Sequence, residues 1–238
     1  MNIALIFAGG VGTRMNAKAK PKQFLELHGK PIILYTLEVF EHHPEIDQIV
    51  IVCVEDYIEQ LKTLIRRFEL RKVSIITAGG KTGFESIYNG LAAIESSANA
   101  DDVVLIHDGV RPFIDDALIS ANIKGVKEYG NAITSVPVTE GVMVSSDAKT
   151  VDSFLDRASL YTTKAPQSFR FGDIFQLYKR AMQDGFVPIE SAHLCQHYGV
   201  RLHRVEGSSN NIKITTPTDF FIFRAIHDAI ENSQLVGF

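Results

Sequence analysis

Ile3-Ala4-Leu5-Ile6-Phe7-Ala8 runs straight into Gly9-Gly10-Val11-Gly12-Thr13-Arg14-Met15, and a lysine-rich loop then ends in Pro21-Lys22-Gln23-Phe24. The unbroken apolar run reads as a buried strand. The glycines that follow read as a loop whose backbone can approach a ligand closely. Consecutive N–H groups in such a loop form a nest for phosphate oxygens. Arg14 and Lys22 add two cations from the same loop, which suits a polyphosphate whose charge changes during reaction. The pattern is not a Walker A motif, which would end in Gly-Lys-Ser/Thr, nor the dinucleotide G-x-G-x-x-G.

Outward from this start, apolar runs alternate with helical periodicity. Strands are predicted at 3–8, 48–54, 73–78, 103–107, 132–138 and 202–206. Helices are predicted at 32–41, 57–68, 84–96, 115–128, 172–184, 189–198 and 217–232. The alternation predicts an α/β fold, Rossmann-like, with a mostly parallel sheet and helices on both faces. Ligands in such sheets bind beyond the carboxyl ends of the strands. The loop after the first strand, Gly79-Gly80 and Asp108 all fall there. Residues 138–163 break the alternation and read as a β-hairpin arm with a polar turn near Asp147. The arm is too short to be a second domain, so one domain over 1–238 is expected.

The chain has 238 residues, 45% of them hydrophobic and 22% charged, with a net charge of −4. That balance gives no bulk electrostatic reason to bind nucleic acid. Two cysteines, Cys53 and Cys195, make no disulfide framework. No apolar run reaches the roughly 18 residues of a membrane span, and the chain enters its first strand without a signal-peptide pattern. A cytoplasmic protein is expected.

The full form G-G-x-G-x-R-M followed by P-K-Q resembles the pyrophosphorylase-type nucleotidyltransferases. Further stretches narrow the resemblance: His107-Asp108-Gly109-Val110-Arg111-Pro112, Asp156-Arg157, Ala165-Pro166-Gln167 and Asn211-Ile212-Lys213-Ile214-Thr215. Together, and in order, they resemble the cytidylyltransferase family whose branches act on 2-C-methyl-erythritol 4-phosphate and on ribitol 5-phosphate. The resemblance implies transfer of CMP from CTP to a polyol phosphate, with Mg²⁺ or another divalent cation and release of pyrophosphate. It implies Arg14, Lys22 and Lys213 as the catalytic cations. It implies Ala8, Gly9, Gly10, Gly12, Gly79, Gly80, Ser86 and Asp108 as the nucleotide contacts, with Asp108 also meeting the metal. It implies Arg111 and Arg157 at the acceptor phosphate, and an arm that reaches across a homodimer.

Several residues keep a second reading. Asp108 could cap a helix. Arg111 binds acceptor phosphate or anchors its loop through a carboxylate. Ser86 could be a helix-surface residue, and Arg157 could pair with Asp152 or Asp156. Lys81 and Gly83 stand where the family usually carries charged residues. Glu140-Gly141, Ile189-Glu190-Ser191 and Ala165 depart from the methyl-erythritol pattern, and Lys213-Ile214-Thr215-Thr216 resembles the ribitol branch. The reading therefore leans to ribitol 5-phosphate, with methyl-erythritol 4-phosphate as the alternative. A sugar 1-phosphate with UTP or dTTP, or a catalytically silent nucleotide binder, are further readings. His193-x-Cys195-x-His197 sets two histidines at helical spacing with no third metal ligand evident.

Overall fold

A computed structural model describes residues 1–9 and 20–236, with side chains through Asn232. Gly10, Gly12 and Arg14 lie outside the described residues. The elements run β1 (Asn2–Ala8), β2 (Glu26–Leu27), β3 (Lys30–Pro31), α1 (Ile32–His42), β4 (Gln48–Cys53), α2 (Ile58–Arg67), β5 (Val73–Ala78), α3 (Gly83–Ala93) and β6 (Val103–Asp108). They continue α4 (Asp116–Tyr129), β7 (Asn131–Pro137), β8 (Met143–Val144), β9 (Ser153–Phe154), β10 (Tyr161–Arg170), α5 (Phe171–Asp184), α6 (Ser191–His197), β11 (Arg204–Glu206) and α7 (Pro217–Val236).

Seven strands form one sheet in the order β11-β7-β10-β6-β1-β4-β5. β1 pairs in parallel with β4 and β6, β4 with β5, and β11 with β7. β1 is apolar from Ile3 onward because both of its faces are covered. Ala4, Ile6 and Ala8 pack with Ile33, Leu37, Leu61 and Ile119 on one face. Ile3 and Leu5 pack with Leu91, Ile174, Phe175 and Tyr178 on the other. Alternate residues of a strand point to opposite faces, so one short run supplies both cores. Burying each Ile or Leu side chain fully contributes about 1.5–3 kcal/mol.

The strand β10 is absent from the sequence-based expectation. It runs antiparallel between β6 and β7. Pro166 has no N–H to donate, which argues against a central strand. The register with β7 shifts between Thr163 and Gln167, and the proline sits in that irregularity. The Pro166 carbonyl accepts from Thr134 Oγ1 at 2.7 Å. Asn122 then links Thr134 and Ser168 in a buried network. The Thr134 hydroxyl thus satisfies the Pro166 carbonyl where the regular ladder is interrupted. The short β2–β3 hairpin is also new, and other differences are boundaries: the helix expected at 189–198 is Ser191–His197, and the last strand is Arg204–Glu206.

The 138–163 excursion is a hairpin, as expected. Met143 and Val144 pair with Phe154 and Ser153. Asp147 makes the turn by accepting from Lys149 N at 2.8 Å and Thr150 N at 2.7 Å. α7 opens on Asp219, whose carboxylate accepts from the backbone of Thr215 and Thr216. This fixes the segment that carries Lys213 against the start of a helix.

Candidate active site

The carboxyl ends of β1, β5 and β6 meet, as the alternation predicts. Gly9 and Gly79 touch closely: a Cβ built on Gly79 would lie 3.1 Å from Gly9 Cα and 3.0 Å from Ser86 Oγ. At Gly80 a Cβ would fall 2.3 Å from Glu85 Cβ, so only glycine fits. Ser86 is buried, not a surface residue. Its hydroxyl accepts from Gly80 N at 3.1 Å and donates to Thr82 O at 2.8 Å. Thr82 and Glu85 form a capping box at the start of α3, which satisfies N–H groups that a helix end leaves open. Ser86 thus pins the Gly79-Gly80 turn to the helix it precedes.

Gln23 ties the other loop down. Its side-chain amide donates to Ala8 O at 2.6 Å, fully inside the fold. Lys22 is the preceding residue, half-buried at the start of a single 3-10 turn. The Pro-Lys-Gln stretch therefore folds back onto the mouth of β1.

Asp108 ends β6, with its side chain 7% exposed. Its Oδ2 accepts from Arg111 Nε at 2.7 Å, and Lys213 Nζ lies 2.5 Å from Oδ1. Burial would raise its pKa, but Lys213 and Arg111 outweigh that and hold the carboxyl below the usual carboxylate range. Asp108 is therefore an ionised carboxylate, not a helix cap. The cap of α4 is Asp115, which accepts from Leu118 N. Of Arg111's two readings, the structure shows the anchor: it holds Asp108 and donates from Nη1 to Asn211 O at 3.0 Å. Asn211 in turn donates to Ala165 O, and Ile214 N donates to Val110 O. These bonds stitch the Lys213 segment between the β6 turn and β10. His107 completes the floor. Its Nε2 donates to Arg111 O at 3.1 Å, and burial pushes its pKa down to about 4, so the ring is neutral.

A cleft of about 380 Å³ opens above this cluster. It is lined by Asp108, Arg111 and Lys213, by Phe7, by Thr82–Phe84 and by Ile189–Ser191. Lys164 and Gln167 of β10 also line it, and reading the sequence did not single out Lys164. Lys164 is half-buried, and burial first, then the Arg111 charge, lowers its pKa. The signal for it lay beside Ala165-Pro166-Gln167, but one lysine in an unrecognised strand has no pattern. Ile189 is 89% exposed at the cleft rim. Ser191 is spent on Tyr178, whose hydroxyl lies 2.9 Å away.

Arg157 is not among the residues lining the cleft. It sits on the arm and donates to Thr139 O at 2.8 Å. Asp152 and Asp156 accept instead from backbone N–H groups of Ser146 and Ala158. The His193 and His197 pair is likewise occupied separately. His193 Nδ1 accepts from Ile189 N, and His197 stacks on Phe186 at 3.7 Å. Cys53 and Cys195 are buried, and burial raises their thiols to about 11 and about 12. They are inert at neutral pH. No helix among the described residues is long and apolar enough to cross a membrane.

Comparison with known proteins agrees with this geometry. The sequence model of the 2-C-methyl-D-erythritol 4-phosphate cytidylyltransferase (IspD) family matches residues 2–228. Ribitol-5-phosphate cytidylyltransferase of Streptococcus agalactiae serotype III (strain NEM316) is 50% identical over 238 residues, covering 100% of both chains. The enzyme of that name from Vibrio parahaemolyticus serotype O3:K6 is also 50% identical, with 100% of both chains covered. 2-C-methyl-D-erythritol 4-phosphate cytidylyltransferase of Clostridium novyi is 38% identical, covering 97% of this chain and 98% of its own. Among solved structures, 4-diphosphocytidyl-2C-methyl-D-erythritol synthase from Anaerococcus prevotii superposes with a TM-score of 0.82 at 26% identity, covering 95% of each chain. The glycine turns, the buried Asp108 with its two cations and the full-length matches converge: the chain belongs to the IspD family of CTP-dependent cytidylyltransferases.

Proposed function

We propose that this protein transfers CMP from CTP to ribitol 5-phosphate, giving CDP-ribitol and pyrophosphate. An oxygen of the acceptor phosphate forms a bond to the α-phosphorus of CTP, and the bond from that phosphorus to the β-phosphate oxygen breaks. The acceptor is already a nucleophile, so the protein's work is alignment and charge stabilisation. The observation that carries this reading is the Asp108–Arg111–Lys213 cluster in the cleft, in a chain 50% identical end to end to ribitol-5-phosphate cytidylyltransferases.

Arg14, Lys22 and Lys213 are assigned to the negative charge that grows as pyrophosphate leaves. The nucleotide lies against Ala8, Gly9, Gly10 and Gly12, with the base at the Gly79-Gly80 turn that Ser86 holds. Arg111 keeps Asp108 in place and presents its remaining N–H groups to the acceptor side. Asp108 suits Mg²⁺: a hard carboxylate oxygen beside substrate phosphates is the donor set that ion uses. Asp108 is the residue that would hold the ion, and Lys213, now paired with it, would find another partner in bound phosphates. When bound, Mg²⁺ would neutralise triphosphate charge and polarise the phosphorus.

The arm supplies the rest of the acceptor site in a homodimer. Phe154 is 73% exposed, Met143 56% and Leu155 43%. A hairpin so apolar needs a covering surface. Arg157 rides on it and would reach the partner's acceptor phosphate. We place the enzyme in the cytoplasm, where CTP is made and used.

The test is a pyrophosphate-release assay with CTP, comparing ribitol 5-phosphate and 2-C-methyl-erythritol 4-phosphate. The expected result is a higher kcat/KM for ribitol 5-phosphate. A clear preference for the methyl-erythritol substrate, which the matching family model supports, would move the chain to the other branch. Turnover with neither, under any NTP and acceptor tried, would make it a silent binder.

A further inference from the structure

Outside the lining of the cleft, His28, His227, Asp228 and Glu231 bring one ligand atom each to within 4.8 Å of one another. This is the one such group among the described residues. His28 sits at the tip of the β2–β3 hairpin with φ of 50°. That left-handed conformation turns the residue after Leu27 sharply, and Gly29 follows at φ 76°. The other three residues come from α7, where positions i, i+1 and i+4 share one side of the helix. His28 Nε2 already lies 2.9 Å from Asp228 Oδ1 across 200 residues of sequence. His227 Nδ1 is buried and has no hydrogen-bond partner, and its nearest carboxylate is Glu231 Oε2 at 3.7 Å.

We propose that these four residues form a binding site for a first-row transition-metal ion of the zinc type, which clamps the C-terminal helix to the β2–β3 hairpin. Two imidazole nitrogens and two carboxylate oxygens are a borderline-soft set that favours Zn²⁺ over Mg²⁺ or Ca²⁺. Zinc bonds of about 2.0–2.2 Å place tetrahedral ligands roughly 3.3–3.6 Å apart. Reaching that from the present spacing takes only rotation of partly exposed side chains. Two carboxylates beside two imidazoles also leave net negative charge for a cation to neutralise.

The surroundings hold the ligands as a metal site needs. His227 packs edge-on against Tyr35 with centroids 5.0 Å apart, and its ring lies 5.6 Å from that of His28. Tyr35 in turn donates from its hydroxyl to Leu27 O, which fixes the base of the His28 turn. Arg224 Nε stands 3.6 Å from the other oxygen of Asp228, so Asp228 has one oxygen for the metal and one for the arginine. Fixing a ligand from outside in this way raises affinity. Hydrophobic contacts already join the two elements: Leu27, Ile32, Ile214 and Phe223 form one buried cluster, with Tyr35 and Phe220 against it. An ion at its edge would lock a docking that exists without it, so the proposal concerns stability and not the chemistry of the cleft.

The experiment uses full-length protein without a histidine tag, freed of metal by chelator and then held in millimolar Mg²⁺ to occupy oxygen-rich sites. Zn²⁺ binding is followed by calorimetry, Co²⁺ binding by visible absorption, and stability by Tm. The expected result is about one equivalent of Zn²⁺ per chain. Tetrahedral Co²⁺ bands and a rise in Tm of about 5 °C or more at 100-fold excess over Kd should accompany it. His28→Ala and Glu231→Gln, both at exposed positions, should each weaken binding about 10-fold or more. His193→Ala, on α6, should leave it unchanged. Binding that survives His28→Ala, or that vanishes only with His193→Ala, overturns the proposal. So does the absence of Zn²⁺ binding at about 100 μM, because a four-ligand site should bind well below that concentration.

Discussion

Asp108 on the cleft floor has a side chain 7% exposed and a cation on each oxygen, whereas Phe154 on the arm is 73% exposed. Both regions carry residues that match the family's motifs, yet they are organised in opposite ways. On the floor the charged groups are held by one another and by groups distant in sequence. Asp108 holds Arg111 and Lys213, Arg111 holds Asn211, and Asn211 holds Ala165. On the arm the bonds stay local: Asp147, Asp152 and Asp156 cap their own turns. The apolar side chains there face outward. If the proposed homodimer holds, a single chain completes the charge arrangement for the phosphates and leaves part of the acceptor's surroundings to a second copy. The comparison then sets the chemistry, on the floor of one chain, against the acceptor site, which the proposed assembly would finish.

The largest effect should come from the floor. Lys213→Ala removes a cation and leaves Asp108 paired with Arg111 alone. A lost charge-stabilising donor costs about 10²- to 10³-fold in kcat, or roughly 3–4 kcal/mol. Lys22→Ala and Arg14→Ala belong to the same class, at about 10²-fold or more, with CTP affinity changed far less. Steady-state kinetics with both substrates reads this. A Lys213→Ala enzyme with near-normal kcat would mean that the ion pair with Asp108 is only structural.

The floor should also tie folding to pH in a way the arm does not. His107 is buried neutral with a pKa near 4, against 6.5 for the free side chain. Below pH 6.5 the unfolded chain takes up a proton that the native chain refuses, so stability falls as pH drops to about 4 and then levels. The shift corresponds to roughly 3 kcal/mol across that window. Urea titrations at pH 7 and pH 4.5 should show the loss, and His107→Gln should flatten it. On the arm Asp147 is also shifted, to about 2, by backbone N–H groups of Thr150 and Lys149. It lies in solvent, so Asp147→Asn should change global stability little. An equal pH slope in the His107→Gln protein would remove this contrast.

How much of this could be read in the residues depended on whether the signal was local. β1 was legible because six apolar residues are contiguous. The arm was legible because its apolar residues flank a polar turn that Asp147 does make. β10 was not, because Pro166 breaks the strand pattern and its carbonyl is satisfied by Thr134 on another element. The two readings of Arg111 could not be separated from sequence: its bond to Asp108 is local, but the second bond that anchors it is to Asn211, 100 residues away. Ser86 kept a surface reading beside the nucleotide-contact one, because helical spacing does not reveal that the Gly79-Gly80 turn folds over it.

The arm can be tested directly. Phe154→Asp should disrupt the homodimer, seen as a monomer mass by light scattering, and Arg157→Ala should leave the dimer intact. The arginine change should raise KM for the polyol phosphate about 30-fold, the scale of one charged hydrogen bond of roughly 2 kcal/mol, with KM for CTP nearly unchanged. If the Phe154→Asp monomer kept full activity, the site would be complete in one chain and the division between floor and arm would fail.

The smallest effect should come from Lys164, which stands between the two regions. Its side chain lines the cleft beside Arg111, yet it belongs to the strand that continues from the arm. Burial and the neighbouring Arg111 both disfavour its charge in the empty cleft. An arriving phosphate would relieve that repulsion, so Lys164 should contribute more to binding than an exposed lysine would. It stays partly solvated, so the gain is modest. Lys164→Ala should raise KM for the acceptor about 10-fold, near 1.4 kcal/mol, and lower kcat by less than 3-fold. Lys164→Arg keeps the charge on a longer side chain and should recover most of the loss. If Lys164→Ala instead lowered kcat as much as Lys213→Ala, the lysine would act on the reacting phosphates. The acceptor site would then extend onto β10 within one chain, and less of it would be left for the partner's arm to supply.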